Sequence, residues 1–162
     1  MSNFIIDKLP TTLLGLEIRT DFRVWMVVEQ MLENPLNLVG DTITQIVNLI
    51  FKEQPPSYSV AFSEIISFAN MYKEVESSSQ SSEPLFDWEQ DCMKVYTAFM
   101  RTYNIDLIDI PYLHVWKFKA LFSDLCECTL TTHMYYRGVN LSDYDGDQRH
   151  DMARIKEKYA IK

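Results

Sequence analysis

The sequence predicts a mainly α protein, a helical bundle of about six to seven helices with a small β-hairpin at its amino end. Three observations carry this. Glycine occupies only 4 of 162 positions, so few sites suit the positive-φ turns that hairpin-rich folds require. From Thr20 onward, apolar residues recur at i, i+3, i+4 and i+7. Capping and breaking residues bracket those runs.

The first segments, "NFIID" and "LLGLEIR", are short and extended in pattern, punctuated by Pro10 and Gly15, and suggest the hairpin. The period then becomes helical. "TDFRVWMVVEQMLEN" offers Thr20 or Asp21 as N-cap and stops at Asn34-Pro35. "DTITQIVNLIFK" places Ile43, Ile46, Val47 and Ile50 on one face, with Asp41 as cap. After Pro55 and Pro56, Ala61, Ile65, Phe68 and Tyr72 form the stripe of a third helix.

The second half opens with "FDWEQDCMKVYTAFMRTYNIDLIDIP". Trp88, Cys92, Val95 and Phe99 make one stripe, and Met93, Tyr96, Met100 and Tyr103 another beside it. A further helix is expected with Asp109 as cap and Pro111 in its first turn. "TLTTHMYYRG" reads as a short helix ended by Gly138. "GDQRHDMARIKEKYAIK" has acids at its start and bases near its end, which complements a helix dipole.

Between the halves, five of the six residues Ser77–Ser82 are serine, a run with no apolar group to offset the entropy of ordering it. The expected division is therefore an N-terminal half over 1–76 (hairpin plus three helices), a Ser-rich tether over 77–84 and a helical half over 85–162, together one compact domain. The length suffices for a core without disulfides or metals. No internal repeat is evident.

The net charge is −8. Up to Glu76 there are 5 basic and 10 acidic residues, and beyond it 10 basic and 13 acidic. Neither part is basic, which argues against a nucleic-acid partner. The run "MSNFIIDKLP" is too short in apolar residues for a secretion signal, and nothing approaches a membrane span. Cys92, Cys126 and Cys128 are odd in number. The expectation is a soluble protein of the cytoplasm with reduced thiols and no membrane partner.

Motifs for chemistry are weak. Asp143, Asp145 and Asp147 have the spacing of the first calcium ligands, but Gln148 and Arg154 stand where the loop needs Gly and Glu, so an acidic helix start is the better reading. Cys126 and Cys128 with His133 and His150 lack the paired spacing of a zinc site. Asp106 and Asp109 suit turn and cap roles. No phosphate-binding loop, nucleophile elbow or zinc-protease motif occurs. The expectation is a non-enzymatic chain without metal or cofactor.

"YLHVWKFKALF", residues 112–122, gathers His114, Trp116, Tyr112, Lys117 and Lys119, all but Trp116 side chains of proton transfer. On a helix, its apolar residues cover nearly the whole circumference, which points to a packed helix with His114 and Lys117 together at one edge. Packing is the stronger reading, with some face reserved for contact with another protein. Trp116, Met134, Tyr135 and Tyr136 are the candidate exposed anchors, because aromatic residues and Met concentrate at interaction surfaces.

Two long segments, "FDWEQDCMKVYTAFMRTYNIDL" and "YLHVWKFKALFSDL", resemble a bacteriophage family known by the gene-product number fifteen in tail-morphogenesis clusters of phages of Gram-positive hosts. "IDKLP", "TDFR" and "YR…LS" fit it as well. Members often carry Trp where Val115 stands and Arg where Lys119 stands, changes that keep bulk or charge. The family's position between the genes for the major tail protein and the tape-measure protein implies a tail assembly chaperone. Such a chaperone coats the long helical tape-measure protein until tube subunits polymerise around it.

The resemblance thus implies the tape-measure protein, other tail proteins and further copies of the chain as partners, in the host bacterial cytoplasm or the virion tail. A structural component of the mature virion tail is the first alternative. An acidic regulator or decoy that binds a host protein is the second, although the acids are interspersed with lysines rather than lined along one face.

Overall fold

The computed structural model describes residues 8–33, 40–72 and 84–162. Among them are seven α-helices and one two-stranded sheet: β1 (Thr12–Leu13), β2 (Leu16–Glu17), α1 (Phe22–Glu33), α2 (Gly40–Ile50), α3 (Tyr58–Ala69), α4 (Trp88–Tyr103), α5 (Val115–Ser123), α6 (Thr129–Gly138) and α7 (Gly146–Tyr159). A 3-10 turn, Leu141–Asp143, precedes α7. The chain is mainly α, as its periodicity predicts. The "NFIID" segment and, apart from Pro84, the Ser-rich tether over 77–84 lie outside the described residues. The hairpin forms wholly inside "TLLGLE", pairing Thr12 with Glu17 and Leu13 with Leu16. Leu14 and Gly15 make its turn, both at positive φ.

The chain divides into two compact units. Unit 1 comprises residues up to 77 together with 111–121, and unit 2 comprises 78–110 with 122–162. The stretch 111–121 therefore belongs to the unit of the first three helices, although it follows the serine run by many residues.

Unit 1 is organised by the extended segment after the hairpin. On one side Ile18 bridges Phe51, with Arg19 N–H donating to the Ile50 carbonyl at 2.8 Å and Lys52 N–H to the Glu17 carbonyl at 3.1 Å. On the other side Asp21 bridges His114, with Phe22 N–H donating to the Leu113 carbonyl and Val115 N–H to the Thr20 carbonyl. This pairing changes the expected start of α5. Residues 112–114 are extended rather than helical, Asp109 is not the cap, and Pro111 lies before the helix. A β-like ladder with Thr20–Phe22 satisfies backbone groups that helix formation would otherwise have used.

Asp21 does two jobs here. Its Oδ1 accepts the Arg23 N–H at 3.0 Å, opening α1, and its Oδ2 accepts the Leu113 N–H at 3.3 Å. Arg19 works at the opposite kind of end: its Nη1 donates to the carbonyls of Asn48, Leu49 and Phe51 at the end of α2, where the helix dipole also favours a cation. Asp41 falls inside the first turn of α2 instead of capping it.

The apolar stripes of α2 and α3 bury as their period predicts. Ile46, Val47, Ile50, Ala61, Ile65 and Phe68 are fully enclosed. Phe68 stacks on Trp25 at 4.7 Å and tilts against Trp116 at 4.9 Å, and Phe22 stacks on Phe118 at 4.7 Å. Each such ring contributes about 1.5–3 kcal/mol through burial. Tyr72 departs from the expected stripe. α3 ends at Ala69, Met71 and Tyr72 take positive φ, and the Tyr72 ring is half exposed, edge-on to Trp116.

In unit 2 the predicted stripe of α4 holds except at one position. Trp88, Val95, Ala98 and Phe99 are buried, but Cys92 is exposed and Asp91 is fully enclosed in its place. Of the second stripe, Met93 is exposed, so that side of α4 is only partly covered. Trp88 packs edge-on against Phe86 at 4.6 Å, and Phe86 against Phe122 at 5.4 Å. Asp106 organises the loop after α4: Oδ1 accepts the Ile108 and Asp109 N–H groups, and Oδ2 accepts from Tyr96.

Replacing Asp21 by Ala removes an N-cap and leaves the Leu113 N–H without its carboxylate. The expected loss is about 1–2 kcal/mol, or roughly 2–8 °C in melting temperature. Circular dichroism melts check it, and an unchanged melt for Asp21→Ala would rule out this pinning role.

Candidate protein-interaction site

The tempting cluster in "YLHVWKFKALF" is structural. His114 is only 2% exposed. Its Nδ1 accepts the Trp116 N–H at 3.1 Å, so the imidazole itself caps α5. Its Nε2 lies 3.0 Å from the Pro10 carbonyl. An accepting Nδ1 and a carbonyl at Nε2 require the neutral ring with the proton on Nε2. Burial, opposed by the Pro10 hydrogen bond and aided by the Lys117 charge, lowers its pKa below the usual histidine value. Both nitrogens are committed, so this histidine is not held at the edge of the helix as the helical period suggests.

Trp116 requires the same correction. It was a candidate exposed anchor, yet it is 4% exposed, packs on Phe68 and donates its indole N–H to the Phe68 carbonyl at 3.0 Å. Trp116 lies in the first turn of α5, on the face that packs against α3 in the core of unit 1. Lys119 spans core and surface, donating to the Ala69 carbonyl and pairing with Glu29. Lys117 is exposed.

The other three candidates, Met134, Tyr135 and Tyr136, lie on α6 in unit 2. What positions that helix is a buried ion pair. Arg137, 5% exposed, forks onto Asp91, with Nη1 on Oδ2 and Nη2 3.3 Å from Oδ1. Its Nε donates to the Tyr159 carbonyl at 2.7 Å, and Nη1 also reaches the Leu85 carbonyl at 3.1 Å. Asp91 further accepts Lys94 Nζ at 2.9 Å and the Asp87 N–H at 3.1 Å. One guanidinium thus joins α4, α6, the end of α7 and the segment before α4.

Burial alone would push the Asp91 carboxyl up, but the hydrogen bonds from Arg137 and Lys94 and the backbone outweigh it and hold the pKa at about 2. His133 faces the same cluster. Burial and the charges of Lys94 and Arg137 lower its pKa, with Asp91 opposing, and its ring meets Tyr159 edge-on at 4.7 Å. The helix start is set by Cys128, whose N–H donates to Thr131 Oγ1 at 2.8 Å.

With Arg137 turned inward and Leu130 fully buried, Met134 and Tyr136 are half-buried, and of the three candidate anchors only Tyr135 is exposed. Tyr135 is 62% exposed. It lies edge-on to Tyr136 at 5.3 Å, and Tyr136 stacks on Tyr159 at 5.0 Å. The neighbouring Tyr135 hydroxyl raises the Tyr144 pKa. Leu85, Met134, Tyr135, Val139 and Tyr144, with Asp143, line an open groove of about 530 Å³. Gly138 is part of its floor; a Cβ there would come within 3.1 Å of the Leu85 side chain, so a larger residue would press on the groove wall.

Metal chemistry finds no scaffold among the described residues, where no three His, Cys, Asp or Glu side chains converge. Asp145 stands at the N-cap position of α7 and Asp147 in its first turn. Cys128 is buried, while Cys126 and Cys92 are exposed. No helix among the described residues is long and apolar enough to cross a membrane.

The described residues form a mainly helical protein with an open groove lined by apolar, tyrosine and methionine side chains. The sequence matches the family described as Bacteriophage Gp15 protein over residues 5–161, so the chain belongs to that family. No curated protein and no solved structure matched it.

Several of the residues within the segments that carry the resemblance hold helix ends or buried polar groups: Asp21 of "TDFR", Asp87 and Asp91 of "FDWEQD", His114 of "YLH" and Arg137 of "YR". The sequence reading missed Asp91 and Arg137. The available signal was an acid on the Trp88–Val95 face of α4.

Breaking the pair should be costly. Arg137→Met is expected to lose about 3–5 kcal/mol, because it leaves Asp91 buried with its main partner gone. Adding Asp91→Leu should recover part of that loss, though the Leu85 and Tyr159 carbonyls stay unpaired. Urea titrations measure both, and no recovery in the double variant would count against an ion-pair origin.

Stability should also fall with acid in two stages. His114 and His133 have folded pKa values below the ordinary 6.5, so the unfolded chain binds more protons there and stability drops as pH falls below that value. Asp91, at about 2 against an ordinary 3.8, adds a second decline as pH falls from roughly 4 towards 2. Urea midpoints across pH 8 to 2 check this, and His133→Leu should shrink the first stage.

Proposed function

We propose that this chain is a non-enzymatic tail-morphogenesis protein acting as an assembly chaperone, which shields the helical tape-measure protein before tube subunits polymerise around it. Family membership supports a phage role, and the gene order implied by the family resemblance supports the tail. The observation that carries the mechanism is the α6 groove, with Met134 and Tyr135 on one helix and Leu85 and Tyr144 beside them. Methionine adapts to varied apolar side chains, and tyrosine offers a large contact area at low entropic cost. Those properties suit a client with many similar helical stripes and no single fixed epitope.

The test is co-expression with the tape-measure protein encoded by the same phage. The chain should keep that protein soluble and co-purify with it, and Tyr135→Ala with Met134→Ala should weaken recovery at least tenfold. Insoluble tape-measure protein despite co-expression would refute the reading. Stoichiometric presence of the chain in purified particles would instead favour a structural component of the tail.

A further inference from the structure

We propose that the α6 groove takes the apolar stripe of an amphipathic helix whose flanking positions are lysine or arginine. The inference rests on the reading above for its client, a helical protein, and adds the charge that the client must carry. Among the described residues lining the groove, the only charged side chain is Asp143. Asp145 and Asp147 follow it in the chain, and all three are exposed. Lys156, on α7, is turned onto the Val139 carbonyl at 3.1 Å and lines a different cleft with Pro84, Arg137, Ala160 and Ile161. Arg137 is spent on Asp91 and two carbonyls. The groove is thus walled mainly by apolar side chains, with neutral Thr131 and Asn140 and a single negative charge at Asp143.

That combination selects among occupants. An extended peptide adds to a sheet edge through main-chain hydrogen bonds, but this groove is walled by side chains and by a helix whose backbone is bonded internally. Phosphates of nucleic acid or anionic lipid headgroups would meet the negative charge at Asp143. An amphipathic helix fits both parts: its apolar residues at i, i+3, i+4 and i+7 enter between Leu85, Met134 and Tyr144, and flanking cations lie against Asp143 and Asp145.

The test uses the full chain, isotope-labelled for NMR, and two synthetic helical peptides of about 18 residues with the same apolar stripe. One carries Lys at its polar positions, the other Glu. The Lys peptide should shift amides of 131–145, and its affinity should fall with salt. The Glu peptide should bind at least tenfold more weakly. Tyr135→Ala should weaken the Lys peptide at least tenfold, and Asp143→Asn with Asp145→Asn should flatten the salt dependence. These side chains are exposed, and unchanged melts would show that the variants fold.

Equal binding of the two peptides, or shifts centred elsewhere, overturns the proposal. If the tape-measure protein co-purifies but the Lys peptide neither binds here nor competes, the groove assignment fails and the chaperone reading stands. If the peptide binds as described and no tape-measure protein is recovered, the groove stands and the chaperone reading fails.

Discussion

Every α-helix leaves its first N–H groups and last carbonyls without partners inside the helix. In this chain side chains from distant segments supply many of them. Arg19 covers the end of α2, Trp116 and Lys119 cover the end of α3, and His114 opens α5 while reaching back to Pro10. Arg137 takes the last carbonyl of α7 and one before α4 while neutralising Asp91. Within each unit, packing places the helices and these polar contacts fix where the helices begin and end. A buried polar group without its partner costs about 1–3 kcal/mol, so such contacts constrain the arrangement strongly.

The same constraint explains why histidine, lysine and tryptophan gather in "YLHVWKFKALF". These residues are amphipathic: each offers apolar body for the core and one polar atom for a backbone group. His114 spends both ring nitrogens, Trp116 its indole N–H, and Lys119 its ammonium, on main chain or a paired acid. A proton-transfer cluster needs groups aimed at a shared substrate space, whereas these are aimed at helix ends.

In unit 2 the ion pair has a consequence for the surface. Drawing Arg137 inward sets the rotation of α6, which turns Tyr135 outward and leaves Met134 at the groove. α6 is held on its inner side by the fully buried Leu130 and by this polar contact, and Met134 and Tyr135 line the groove. Core and surface are therefore linked through one side chain.

Much of this was legible beforehand. Periodicity and caps placed the helices, and the α6 and α7 boundaries followed from Gly138, Asp145 and the charge asymmetry of the last segment. Of the candidates Met134, Tyr135 and Tyr136, the first two line the groove, while Tyr136 is half-buried against Tyr159, a contact between separate helices that local sequence does not specify.

Three things were not. Residues 112–114 became extended because Thr20–Phe22, some ninety residues away, offered backbone partners. Trp116 became core because Phe68, forty-eight positions earlier, offered a ring to pack on and a carbonyl for the indole N–H. Asp91 became buried because Arg137, forty-six positions on, could reach it. Local sequence determines which segments coil and which side chains carry charge or bulk, since those depend on near neighbours. Which polar atom meets which helix end depends on contacts between distant segments, and only the tertiary structure decided that.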